Sequence, residues 1–286
     1  MIKISCQARD EPSPRLILKQ FSLESLSEAV EYIRNLLSGI DKASIYLTGG
    51  GAQKFRHRFQ FGDQHQYCIV DEFRAVGCGI PVCMPPHTTY PFIAANVGSG
   101  VSILLVESQI SSKRVSGTAL GGATFVGLGQ LLAGNKSYFE LLDLCMLGSS
   151  KDIDMTVGDI YGGDLPDSEL KADITASYFA KIQSLGKNIF LPEDVLHSLM
   201  KMLSYNLAQI LVLNARLFNV RKILVFGGFA HCNCKNLISI FYFMHFLVPF
   251  QKSLEDGVKY WSKGLIKVAI GSDPLFVGSI GAMMST

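Results

Sequence analysis

The sequence predicts an α/β fold in two lobes, a first over residues 1–91 and a second over 92–286. Three observations predict it. An amphipathic stretch after Ser25 leads to the short apolar run 44–47, which exits into Thr48-Gly-Gly-Gly51. Two apolar runs, 92–95 and 101–106, flank the turn Gly98-Ser99-Gly100. A long periodic stretch opened by Pro192 feeds the run 221–226, which ends at Gly227-Gly228. Helix-period segments alternating with strand-length apolar runs are the pattern of a sheet covered by helices.

Each element has its own signal. Residues 15–21 alternate like a strand. Ser25-Leu-Ser-Glu28 matches a capping box, opening a helix that carries Leu26, Ala29, Val30, Ile33 and Leu37 on one face and ends at Gly39. Residues 44–47 read as a short buried strand whose glycine exit starts another helix. The pattern changes at Phe92 to strand, turn, strand, and then a helix from about Thr124 to Ala133. Residues 137–147 form a further amphipathic helix, and 159–164 a loop. Pro192 with Glu193 and Asp194 opens a long helix bearing Leu196, Leu199, Leu203, Leu207, Ile210 and Leu211 on one face.

The residues around the second pair of strands suit phosphate chemistry. Asn96-Val-Gly-Ser-Gly-Val-Ser102 is followed by Lys113-Arg114 and by Thr118-Ala-Leu-Gly121-Gly122-Ala-Thr124. Glycines such as Gly98, Gly100, Gly121 and Gly122 let backbone N–H groups approach an anion. Hydroxyls of Ser99, Ser102 and Thr124 add donors, a helix N-terminus adds partial positive charge, and Arg114 can fork onto phosphate or carboxylate. Either glycine turn alone also suits a plain hairpin; their order along the chain points to the anion.

That order resembles the second half of the actin-like fold of sugar kinases and Hsp70 proteins, and within it the eukaryotic-type pantothenate kinases. Further blocks carry the same resemblance: Thr48-Gly-Gly-Gly-Ala52 with Lys54-Phe55, Asp71-Glu72, Asp159-Ile-Tyr-Gly-Gly-Asp164, Val225-Phe-Gly-Gly-Phe229, Tyr260-Trp-Ser-Lys-Gly264 and Phe276-Val-Gly-Ser-Ile-Gly-Ala282. The resemblance implies an actin-like two-lobe fold with an incomplete first lobe, because the opening hairpin with Asp-x-Gly-Gly-[ST], which cradles ATP phosphates and holds magnesium in the family, has no match before Lys19. The chain is thus expected to be a shortened member, or the product of a truncated gene model.

The resemblance also implies roles. Glu72 would be the general base that takes a proton from the alcohol of pantothenate; beside Asp71 it could equally be a solvated surface carboxylate. Arg114, Ser99 and Ser102 would contact pantothenate and the acyl-coenzyme A that inhibits the family. Gly98, Ser99, Gly100, Gly121, Gly122, Thr124, Gly227 and Gly228 would clasp ATP, with Mg2+ as its counter-ion and no assigned metal ligand. Gly228 stands where the family has Asn. Ala123 stands where it has Gly, at a cost of about 1 kcal/mol if that position needs positive φ. Trp261, the only tryptophan, would border the acyl-coenzyme A arm, or is simply core. The implied activity is ATP-dependent phosphorylation of pantothenate by a cytosolic homodimer joined through the second lobe. The alternative is a weak or inactive member that binds acetyl-coenzyme A or pairs with an active kinase.

Composition narrows the rest. At 48% hydrophobic content a packed core is expected, and a net charge of +2 with scattered Lys and Arg does not indicate nucleic acid. The start lacks a signal-peptide apolar core or a transit-peptide pattern, and seven cysteines in no framework spacing suit reduced thiols, so a cytosolic home is expected. His231-Cys232-Asn-Cys234 and the Cys78, Cys83 pair invite a zinc reading, but no second pair lies at zinc spacing. The apolar stretch 237–250 is too short to span a membrane and has no counterpart in the family pattern. His57, His65, His87 and His197 are expected to be surface or packing residues.

Overall fold

A computed structural model describes residues 2–7, 16–83, 89–165, 170–185, 190–230, 249–270 and 276–285. The chain opens with β1 (Ile2–Cys6) and β2 (Ile17–Phe21), paired antiparallel, followed by α1 (Leu26–Leu37). β1 alternates apolar and polar residues (Ile-Lys-Ile-Ser-Cys), but at five residues the sequence analysis did not single it out. The expected Ser25 capping box does not form, because Ser25 sits outside the extended backbone that presents an N-cap oxygen (φ −86°, ψ 30°). Instead its N–H donates to Ser22 Oγ, 3.1 Å away. β3 (Ser44–Leu47) and β4 (Gln66–Ile69) form a second two-stranded sheet, parallel, with α2 (Gly51–Phe55) between them. β3 is only half-buried, against the expectation, since two strands cannot cover each other's faces.

α3 (Glu72–Cys83) leads into the main sheet, whose strands are β5 (Phe92–Val97), β6 (Val101–Val106) and β7 (Ser112–Thr118). Then come α4 (Gly122–Ala133), α5 (Tyr138–Leu147), β8 (Met155–Thr156), α6 (Val157–Tyr161), β9 (Thr175–Ser177) and α7 (Ile182–Leu185). The long α8 (Pro192–Leu217), β10 (Lys222–Phe226), α9 (Pro249–Ser262), β11 (Lys267–Ile270) and α10 (Val277–Met284) complete the order. The sheet runs β11-β10-β5-β6-β7, with β5, β10 and β11 parallel and β6 and β7 antiparallel to their neighbours.

Alternation along β5 sorts the core into two layers. Ile93, Ala95 and Val97 face a cluster with Phe125, Leu141, Leu196, Leu203 and Leu254, drawn from α4, α5, α8 and α9. Phe92 and Ala94 face the opposite cluster, with Val76 and Ile80 of α3 and Val277 and Ile280 of α10. α3 and α10 cross backbone to backbone: a Cβ added at Gly79 would overlap the carbonyl of Val277, and one at Gly281 the carbonyl of Ala75. α3 therefore lies flat on the main sheet with Glu72 at its first turn.

The expected loop at 159–164 begins as helix α6, because Thr156 and Asp159 cap it reciprocally and Gly162 closes it in the left-handed region (φ 79°). Asp159 also pairs with Lys181 at 2.8 Å, and these bonds hold its carboxyl down at about 2. The stretch 237–248, His231, Cys232, Cys234 and His87 lie outside the described residues; Pro249 and Phe250 begin α9. Among the described residues no helix is long and apolar enough to cross a membrane.

Candidate functional site

β5 and β6 are joined by the Gly98-Ser99-Gly100 turn, closed by the Gly98 N–H donating to Gly100 O at 2.9 Å. Beside this turn lies a cavity of about 510 Å3, lined by Glu72, Gly98, Ser99, Gly100, Ser102 and Arg114. Residues 42 positions and three elements apart are thus brought together: Glu72 from the start of α3, Arg114 from β7. A side-chain bond sets the two elements' spacing, with Ser112 Oγ of β7 donating to Phe73 O of α3 at 3.2 Å. Asn96, Gly117 and Thr118 also line the cavity, and the sequence reading did not single them out.

Thr118 Oγ1 accepts from Leu120 N at 3.1 Å, but four other polar groups facing this cavity are uncommitted. Neither the Glu72 carboxylate nor the Arg114 guanidinium has a hydrogen bond or salt bridge among the described residues, and the Ser99 and Ser102 hydroxyls are likewise unpaired. Lys113 contrasts with its neighbour, being held by Glu107 at 3.1 Å on the exposed side. An acid, a cation and two hydroxyls left without internal partners can accept a proton, an anion and hydroxyl groups from one bound molecule.

A second cation stands close to Glu72. Lys3 of β1 has its pKa lowered by burial, partly offset by the attraction of the Glu72 charge. Nothing in its surrounding sequence marks it, because its position depends on β1 reaching α3. Among the described residues no group of three or more His, Cys, Asp or Glu is placed to hold a metal. Among the described residues Glu72 is the one acid lining the cavity, a donor set that suits an Mg2+ carried mainly by the phosphates of a bound ligand.

The remaining candidates lie elsewhere on the same edge or farther away. Gly227 ends β10 at φ 108°, and any Cβ there would stand 2.5 Å from Val97 O, so the Gly227-Gly228 turn abuts the end of β5. Such carboxyl edges of parallel strands are where α/β sheets take ligands. Gly121, Gly122 and Thr124 open α4 beside the first turn but do not line the cavity. The N–H groups of Gly122 and Ala123 donate to Gly98 O and Ser99 O at 2.8 and 3.1 Å, and Thr124 Oγ1 accepts from Gly121 N. The helix N-terminus is thus partly spent on the turn, leaving fewer donors for phosphate than expected. Ala123 lies within the helix, so it carries no positive-φ cost.

Trp261 is outside the cavity. It is 37% exposed near the end of α9, its carbonyl accepting from Arg216 Nη2 at 2.6 Å. The described histidines are surface or packing groups: His57 is exposed, buried His65 Nδ1 accepts from Ala43 N, and His197 Nδ1 lies 3.1 Å from Cys145 O. Asp164 is bound by Ala172 N and Lys171, so the 159–164 block serves its own loop.

A family model described as Fumble matches residues 82–285. Pantothenate kinase 1 of Arabidopsis thaliana is 34% identical over 95% of this chain and 76% of that protein. The chain belongs to the Fumble family of pantothenate kinases. Pantothenate kinase 2 of Oryza sativa subsp. japonica is 41% identical over 95% of this Fumble-family chain, which spans 32% of that longer relative. A ROK hexokinase from Thermus thermophilus superposes with a TM-score of 0.53, covering 99% of this chain and 98% of its own at 10% identity. That likeness shows the fold, the actin-like α/β architecture of the sugar kinases.

Proposed function

We propose that this chain transfers the γ-phosphoryl group of ATP to the primary hydroxyl of pantothenate. The observation that carries the reading is the unpaired set Glu72, Arg114, Ser99 and Ser102 around one cavity. The Glu72 carboxylate accepts the hydroxyl proton as the oxygen attacks the γ-phosphorus and the bond to the ADP oxygen breaks. Arg114 binds the carboxylate of pantothenate, and Ser99 and Ser102 donate to its polar groups. Gly98, Gly100, Gly121, Gly122, Thr124, Gly227 and Gly228 border the nucleotide along the sheet edge. Mg2+ bound by the phosphates would neutralise charge that develops during transfer. Acetyl-coenzyme A, or another acyl-coenzyme A, competes for Arg114 through its anionic groups.

The proposed working form is a homodimer in the cytosol. Its support within the molecule is an exposed apolar patch where α8 and α9 end: Leu213, Leu217, Trp261 and Leu265.

The test is phosphorylation of labelled pantothenate by the purified chain, with acetyl-coenzyme A binding measured by calorimetry. Glu72→Gln is expected to lower kcat by about 10²-fold or more while leaving acetyl-coenzyme A binding intact. Arg114→Ala removes a charged contact of about 1.5–3 kcal/mol and is expected to weaken both ligands about 10- to 100-fold. Turnover unchanged in Glu72→Gln rules out Glu72 as the base. Unchanged affinity in Arg114→Ala removes the anion contact from the reading.

A further inference from the structure

Arg114 reaches the cavity only through an irregularity in β7. Gly117 pairs with Ser102 and Ser116 with Ile103, but the next partner of Leu104 is Arg114, so Val115 is an extra, bulged residue. In an unbulged strand Val115 would oppose Leu104, and Arg114 would oppose Leu105. The side chain of Leu105 belongs to the core layer under α8, whereas Leu104 belongs to the layer under α3. One residue of register decides the face. The bulge thus turns Arg114 to the side of the sheet where Glu72 stands, and places Arg114 and Gly117 on one face although they are three residues apart.

Gly117 then supplies the seat. A Cβ at this position would lie 2.6 Å from Arg114 Nη2 and 3.5 Å from its Cζ, so the guanidinium lies across the bare Cα. No other group described here holds Arg114 in place. We infer that Gly117, with the bulge at Val115, is the positioning element that aims Arg114 into the cavity, setting affinity for the anionic end of the ligand. This rests on the reading of Arg114 as the anion contact.

The experiment is a double-mutant cycle on KM for pantothenate, using Gly117→Ala, Arg114→Ala and the pair. Gly117→Ala is expected to raise KM about tenfold with kcat within about twofold, and to add less than about twofold once Arg114 is already alanine. A Gly117→Ala effect of equal size in both backgrounds overturns the inference. The added methyl would then act through Val101 O, also 2.6 Å away, as a merely structural clash. A normal KM in Gly117→Ala beside a raised KM in Arg114→Ala overturns it as well. If Arg114→Ala itself leaves KM unchanged, the anion-contact reading fails first. Arg114→Lys reports even if Gly117→Ala does not fold, because it keeps the charge but loses the plane seated on Gly117. It is expected to raise KM nearly as far as Arg114→Ala, and a wild-type KM there shows that the seat is irrelevant.

Discussion

Lys113 and Arg114 are adjacent cations with different fates. Lys113 is tied to Glu107, and Arg114 is left free toward a cavity. Both were visible in the sequence, and the family resemblance pointed to Arg114. What could not be read was the direction of its side chain, because that depends on a bulge whose only trace is an apolar residue within a polar run. Glu72, Ser99 and Ser102 were named through the same resemblance, and they line one cavity with Arg114. Lys3 was not, since no local pattern announces which helix a strand will meet. Cysteine environment gives a residue-scale prediction. Burial against α8 pushes the Cys145 thiol up to about 12, while Cys68 is exposed. Because the thiolate is the reacting form, alkylation of the native protein at pH 7 is expected to mark Cys68 and leave Cys145 untouched until denaturant is added. Mass-spectrometric mapping checks this, and equal labelling of both would mean that the α5–α8 packing opens readily.

At the scale of elements, the helices with uninterrupted apolar faces were the readable ones. α8 and α5 fall where their periodicity placed them, and α5 keeps its Ser137–Glu140 capping box. α3 was missed because Gly77, Gly79 and Pro81 break the helical pattern. Those glycines are what permit the crossing with α10. β7 was missed because it is a sheet edge whose charged, half-exposed residues carry no alternation. The crossing makes a paired prediction on one helix. Gly281→Ala forces a methyl into the Ala75 carbonyl and is expected to cost about 1–3 kcal/mol. Gly278→Ala meets open space and gains helix propensity, so it is expected to be neutral or stabilising. Denaturant midpoints at constant m measure both. Equal costs at the two positions would show that propensity, not the close crossing, governs α10.

For the whole molecule, the αβ rhythm and the order of glycine turns were enough to foresee a helix-covered sheet of the sugar-kinase type. The assignment of helices to faces was not foreseeable, because it follows from contacts between segments far apart in the chain. The exposed patch of Leu213, Leu217, Trp261 and Leu265 bears on assembly, since large apolar side chains gathered at two helix ends are costly to leave in water. Sedimentation of the wild-type chain is expected to show a dimer, and Leu217→Glu a monomer of unchanged circular dichroism. A wild-type monomer at micromolar concentration removes the dimer from the proposal.

The crossing of α3 and α10 also has a consequence in time. A ribosome releases the helix that bears Glu72 long before it makes the helix that wedges it against the sheet. Through that interval Val76 and Ile80 have no final partner, and the nascent chain shows the cell an apolar surface of the kind that chaperones hold. The acid proposed to start the chemistry is therefore seated only after α10 has been made.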